Sequence, residues 1–241
     1  MIKILLTFVT AMLLISCGQN RKIDYTRNLD TTSVANDGIK DTTKLLVSEL
    51  PIKFDSTDIL LFAVEQVDLQ ERGGYSKVRS AYYGSAEIAT SYFSTDHLIG
   101  NFVNIVFKDK SGHEQRLTNK RIKIRSVTYL RDIAKQTKVG YLLYSISDRD
   151  SNADRELNNS DLEALYISNI DGSGFTKLTQ ELHDFFDWSS IKGESRIYFR
   201  TLEDKNRDGI LNNRDKFHYY FIDFENNKYS VTEYNPLKIF E

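Results

Sequence analysis

Two stretches of the chain repeat one another, and a repeat restricts the fold more tightly than any figure of composition. Tyr141-Leu-Leu-Tyr-Ser-Ile, an Asp/Asn-rich loop and Leu165-Tyr-Ile-Ser-Asn-Ile-Asp-Gly align with Arg196-Ile-Tyr-Phe-Arg-Thr, a second such loop and Tyr219-Tyr-Phe-Ile-Asp-Phe-Glu-Asn. The loops 150–161 and 204–215, with the apolar runs that follow them, are offset by 54 residues. Asp171-Gly172-Ser173-Gly174 and, earlier, Lys110-Ser111-Gly112 have the composition of hairpin turns, and the pairs Leu178-Thr179 and Leu117-Thr118 come after them. Each unit therefore reads strand, long loop, strand, tight turn, strand. A third, degenerate copy runs over 59–118, with a longer insertion that contains Gly73-Gly74 and Tyr82-Tyr83-Gly84.

Short apolar runs at 59–67, 102–107, 141–146, 165–170, 196–201 and 218–224 are bounded by Gly, Asn, Asp or Ser and predict strands. With 14 Tyr, 14 Phe and only two prolines, the composition suits a strand-rich chain. One helix is expected near 130–137. The expected fold class is all-β: antiparallel sheets from about three repeats.

The segment 164–179, Ala-Leu-Tyr-Ile-Ser-Asn-Ile-Asp-Gly-Ser-Gly-Phe-Thr-Lys-Leu-Thr, resembles a TolB-type propeller repeat, as does Trp188-Ser189 followed by Arg196-Ile-Tyr-Phe. The resemblance implies four-stranded, propeller-blade-like units. Three blades fall below the four to eight of closed propellers, so an incomplete propeller or an irregular stack of antiparallel sheets is expected.

The loops carry the sharpest chemistry. The second, Asp204-x-Asn206-x-Asp208-Gly209-Ile210-Leu211-Asn212-x-x-Asp215, places oxygen donors at positions 1, 3, 5, 9 and 12 and glycine at position 6, the spacing of an EF-hand loop. A tightly curled loop points every second side chain inward. Ile210 would lend its backbone carbonyl, and Leu211 would anchor the loop on apolar neighbours. The first loop repeats the donors at Asp150, Asn152, Asp154, Glu156, Asn158 and Asp161, but Arg155 stands at position 6 and must accept a backbone conformation that favours glycine. Oxygen donors without His or Cys select Ca²⁺ over zinc or copper. Both loops end in Asp and so resemble the dockerin variant, although strand-like runs flank them where that family has helices.

Residues 1–17, MIKILLTFVTAMLLISC, have one cation at Lys3 and an apolar run too short for the roughly 20 residues of a membrane-spanning helix. Leu14-Ile15-Ser16-Cys17 resembles the lipobox of bacterial lipoproteins. That resemblance implies a cleaved signal peptide, a lipidated Cys17 and a membrane partner reached through the lipid. Gly18, in place of Asp, implies sorting to the outer membrane. Cys17 is the only cysteine, so no disulfide can form. Residues 18–55 are polar and aperiodic and read as a flexible tether of about 30–35 Å, whose run 44–47 is expected to dock on the domain. Residues 56–241 form the β-repeat domain. With 32 basic and 34 acidic residues, the chain has no basic field to hold nucleic acid.

His97, His113, His183 and His218 show no metal-ligand spacing and read as surface or sheet histidines, and no HExxH or GxSxG pattern occurs. The expected function is that of a calcium-binding, membrane-anchored module of the cell envelope that binds or scaffolds a protein or glycan. The alternative is an envelope hydrolase with dispersed catalytic residues and structural calcium.

Overall fold

A tight turn brings the next apolar run alongside at little entropic cost, so short strands of this kind pair with their chain neighbours. The computed structural model describes residues 21–26, 44–68 and 92–240, and within them the chain is all-β and antiparallel with one α-helix. The strands are β1 (Lys44–Ser48), β2 (Leu60–Asp68), β3 (Tyr92–Phe93), β4 (His97–Lys108), β5 (Glu114–Arg116), β6 (Lys123–Tyr129), β7 (Tyr141–Ser147), β8 (Ala164–Asn169), β9 (Thr176–Lys177), β10 (His183–Ser190), β11 (Arg196–Glu203), β12 (Lys216–Glu225) and β13 (Lys228–Tyr234). The helix α1 (Arg131–Thr137) follows β6 and stops at Lys138, whose left-handed backbone lets its N–H cap the Ala134 carbonyl. No helix among the described residues is long and apolar enough to cross a membrane.

Nine strands form one sheet in the order β1-β2-β4-β6-β7-β8-β9, with β3 and β5 also paired to β4, and β10-β11-β12-β13 form a second. The first sheet curls. Gly172, in the β8–β9 turn, lies so close to Phe107 of β4 that a Cβ there would fall 2.4 Å from the ring. Gln115 Nε2 of β5 donates to the Asp171 carbonyl at 2.6 Å. These contacts join strands separated by β6 and β7 in the sheet order, so the sheet wraps around a core of Phe54, Phe102, Ile105, Phe107, Leu142 and Tyr144. No closed barrel or propeller forms among the described residues.

Both repeat units fold as the sequence order predicts: β7-β8-β9 in the first sheet and β11-β12-β13 in the second, each with its long loop between the first two strands. Tyr141 opposes Asn169 and Arg196 opposes Asp223. The first strands thus correspond one residue further apart than the loops do. In that register Leu142 and Tyr144 are equivalent to Ile197 and Phe199. Leu142 and Tyr144 face the first core, whereas Ile197 and Phe199 pack on Tyr141, Leu143, Leu165 and Ile167, the opposite face of the first unit. Equivalent faces therefore point the same way, and the units stack head to tail.

Strands β6, β10 and β13 were not expected from apolar runs. They carry Lys, Arg, Asp or Glu among their apolar residues, and β13 is an edge strand with most side chains exposed. Part of the span read as a flexible tether packs on the domain. The 44–47 run docks as β1 on β2, Ile52 bridges to Leu61, and Phe54 is fully buried. Residues 21–26 dock as well, as described below. Cys17 with the signal segment, and the 73–84 insertion, lie outside the described residues.

Candidate metal centre

Each loop is built from Asx turns, in which a short side-chain oxygen accepts a backbone N–H two residues on. In the second loop Asn206 Oδ1 accepts from Asp208 N at 3.0 Å and Asp208 Oδ1 from Ile210 N at 2.8 Å. Asp204 Oδ2 reaches across to Gly209 N at 2.8 Å, and Asp215 Oδ2 takes Asn212 N at 2.7 Å. The first loop makes the same four bonds 54 residues earlier: Asn152 to Asp154 N at 3.0 Å, Asp154 to Glu156 N at 2.8 Å, Asp150 Oδ2 to Arg155 N at 2.9 Å and Asp161 Oδ2 to Asn158 N at 2.9 Å. Backbones match too, with positive φ at Ala153 and Arg155 (61° and 72°) and at Arg207 and Gly209 (56° and 78°). Arg155 has thus taken the left-handed conformation outright.

The loops differ in how fully their carboxylates are satisfied. In the first, Asp161 Oδ1 accepts Ser151 N at 2.8 Å, and Asp150 Oδ1 accepts Asp154 N at 3.1 Å. In the second, Asp204 is 4 % exposed, and its Oδ1, like Asp215 Oδ1, is buried with no hydrogen-bond partner. Two of the five such atoms among the described residues therefore fall on positions 1 and 12 of one loop. Asn212 turns its amide to the Ile210 carbonyl at 2.7 Å, and Glu156 receives Asn158 Nδ2 at 3.4 Å. Leu211 is buried with Ile23, Leu162 and Leu202, the anchor expected of it.

Residues 21–26 join the two loops. Ile23 N donates to the Gly209 carbonyl and Asp24 N to the Ser151 carbonyl, both at 2.8 Å, and the Tyr25 hydroxyl donates to Asp204 Oδ2 at 3.0 Å. Arg21 fastens this strap. Its guanidinium bonds Asp184 Oδ1 at 2.5 Å and pairs with Glu163, which also pairs with Arg125 and accepts the Ser145 hydroxyl at 2.5 Å. Burial pushes the Asp184 carboxyl up to about 6 in spite of Arg21. Burial acts on Glu163 in the same sense, but Arg21, Ser145 and Arg125 outweigh it and hold Glu163 below the usual carboxylate range.

No protein-family model matches the chain, and neither the curated proteins nor the solved structures contain a match. What the site does must therefore be read from its own residues.

A second cluster was missed by sequence reasoning. His183 on β10 opposes Glu203 on β11, and Thr201 on β11 opposes His218 on β12. Side chains two apart on a strand share a face, so all four converge. The imidazole rings lie 4.6 Å apart, and a nitrogen of each, with a Glu203 oxygen, falls within 4.8 Å of the others. Both are sheet histidines, as expected, but the strand register brings the two of them together. Burial, and then the His218 ring, lowers the His183 pKa. Nothing in the spacing of residues 183 and 218 signals this pairing, since β10 itself was not expected.

Proposed function

We propose that the chain is a calcium-binding, lipid-anchored lipoprotein of the cell envelope whose stacked, propeller-blade-like units serve as a binding or scaffolding module. The observation that carries this reading is the buried pair of unpartnered oxygens at Asp204 and Asp215. Leaving a buried carboxylate oxygen without a partner costs more than a typical hydrogen bond gains, and a cation removes that cost. Asp204, Asn206, Asp208, Ile210 through its carbonyl, Asn212 and Asp215 would hold Ca²⁺ in the second loop; Asp150, Asn152, Asp154, Glu156, Asn158 and Asp161 would do so in the first. The ion would supply charge that locks each strand-to-strand connection. A calcium sensor needs a mobile helix pair to open, and these loops join paired strands, which supports a stabilising role over a switching one.

The strap also bears on the anchor. From a lipidated Cys17 to Arg21 is four residues, at most about 14 Å of extended chain, so the two loops would face the membrane instead of standing off on a long tether. At the end of β11 away from the loops, the face of the second sheet opposite Ile197 and Phe199 carries charged and aromatic residues. There Arg196 stacks over Phe221 at 4.2 Å and Tyr234 packs against Tyr198 and Phe221, a surface suited to a glycan or protein partner.

Calorimetric titration of the mature chain with Cys17→Ser, followed by thermal melts, tests the metal reading. Heat of Ca²⁺ binding and a melt lowered by chelator support it; a melt unchanged by chelator with no binding heat sinks it. Detergent partitioning of the full chain against the Cys17→Ser variant tests the anchor, which fails if both remain in the detergent phase.

A further inference from the structure

We propose that His183, Glu203 and His218 form a second metal site, distinct from the calcium-type loops, that takes a divalent transition ion of the zinc class. The donor set itself makes the distinction. Two imidazoles and one carboxylate suit Zn²⁺ or its first-row neighbours, whereas the loops offer oxygen alone. Three paired strands hold the donors through backbone ladders, so the site sits on the rigid part of the fold.

The outer partners are also in place. A metal-bound histidine donates its other ring N–H to a carboxylate, carbonyl or hydroxyl, and this fixes which nitrogen faces the ion. His218 Nδ1 lies 2.8 Å from Glu233 Oε1 on β13, and His183 Nδ1 lies 3.0 Å from the Thr201 hydroxyl, which is fully buried. Both Nδ1 atoms are thereby engaged, leaving the Nε2 atoms for the ion. His218 Nε2 now meets Glu203 Oε2 at 2.7 Å, a hydrogen bond whose two atoms would both become ligands once the Nε2 proton leaves. Neighbouring ligands around tetrahedral zinc lie about 3.4 Å apart, so donor atoms within 4.8 Å of one another would draw together on binding the ion. The first repeat unit has Asp148 and Ala164 at the places of Glu203 and His218, so this site belongs to the second sheet only.

The ion would clasp β10, β11 and β12 where the second loop begins, because Glu203 immediately precedes Asp204. The test uses the mature chain with Cys17→Ser, saturated with Ca²⁺ so that the loops are not open to the added ion. Zn²⁺ titration should show one equivalent bound, and Co²⁺ in its place should give the visible absorption of a four-coordinate ion. Glu233→Gln should weaken binding by about 10-fold, and His183→Gln or Glu203→Gln by about 100-fold or more. Asp204→Ala should leave zinc binding in place. Long-range ¹H–¹⁵N spectra of the wild type, which need no variant to fold, should shift the His183 and His218 ring nitrogens on adding Zn²⁺ and leave those of His97 and His113 unmoved. Absence of Zn²⁺ binding by the wild type, binding of equal strength in the His183→Gln/His218→Gln double variant, or shifts confined to His97 and His113 would overturn the proposal.

Discussion

The two Asp/Asn-rich loops are alike in every backbone turn and unlike in what they leave unpaired. Loop 150–161 closes on itself: the Ser151 N–H fills the Asp161 oxygen whose counterpart in loop 204–215 has no partner. The residue equivalent to Ser151 is Lys205, which is exposed and makes no such closure. Conversely, position 6 is relaxed in the second loop and strained in the first, since Gly209 and Arg155 adopt nearly the same positive φ. The first loop therefore holds its shape through hydrogen bonds alone at the cost of two left-handed non-glycine residues, Ala153 and Arg155. The second has one such residue, Arg207, and retains two buried carboxylate oxygens with no hydrogen-bond partner. A common hydrogen-bond scaffold can thus support two loops with different demand for a cation.

The largest effect is expected where the comparison would be broken for both loops together. Arg21→Ala removes the guanidinium that fastens the strap, and Asp184 keeps only the Glu163 N–H, at 2.8 Å. Removing one partner of a buried ion pair costs about 3 kcal/mol or more. Chemical denaturation should report that loss, and hydrogen exchange should show faster exchange at Ile23 and Asp24 together. Faster exchange on one loop only would mean that the strap does not join them.

Next in size is the calcium response itself. A site filled at 100 times its dissociation constant stabilises by about 2.7 kcal/mol, roughly 5–10 °C in a domain of this length. Asp204→Ala with Asp208→Ala should remove most of the Ca²⁺-dependent rise in melting temperature; Asp150→Ala with Asp154→Ala should remove less. Equal losses would show that the unpaired oxygens do not set affinity.

The difference between the loops was half legible in the sequence. Donor spacing and the glycine at position 6 are local, and local chemistry can be read along a chain. The strand–loop–strand order followed from the apolar runs for the same reason, as did the turns at Gly112 and Gly172, both of which carry positive φ. The partners of Asp161 and Asp204 were not legible, because they depend on which backbone N–H happens to lie within reach after folding. The strap was hidden by its composition: Arg-Lys-Ile-Asp-Tyr-Thr has no apolar period, and it docks through backbone bonds, the single buried Ile23 and the part-buried Arg21. The His183–Glu203–His218 cluster needed the register of three strands, one of which, His183–Ser190, mixes Asp and Ser with its aromatics and gives no strand signal. Long-range register is set by the sum of many pairings and leaves no mark on any single segment.

Gly209→Ala should have a smaller effect, confined to the second loop. The added Cβ would meet the Ile23 carbonyl oxygen at 2.6 Å, and φ of 78° disfavours any side chain. A non-glycine residue in this conformation costs about 1–2 kcal/mol, and displacement of the strap adds to it. Denaturation should locate a loss of that order, with calcium affinity reduced in the second loop and unchanged in the first. An alanine accepted without loss would show that the strap yields freely and is not a fixed wall of the site.

Arg155→Gly is the reciprocal change and carries the smallest net effect, because two terms oppose each other. Relief of the left-handed strain favours the variant by about 1–2 kcal/mol, while the greater freedom of glycine in the unfolded chain takes back roughly 0.5–1 kcal/mol. Stability without calcium should therefore rise by about 1 kcal/mol or less. The calcium response separates the two causes of the loops' difference. If strain at position 6 limits the first loop, Arg155→Gly brings its affinity toward that of the second. If instead the Ser151 N–H limits it by competing for Asp161, the variant gains stability and no affinity. The hydrogen-bond pattern favours the second outcome, since the Asp150 to residue 155 N–H bond is already formed at 2.9 Å with arginine in place, so glycine has little left to correct in the loop's shape.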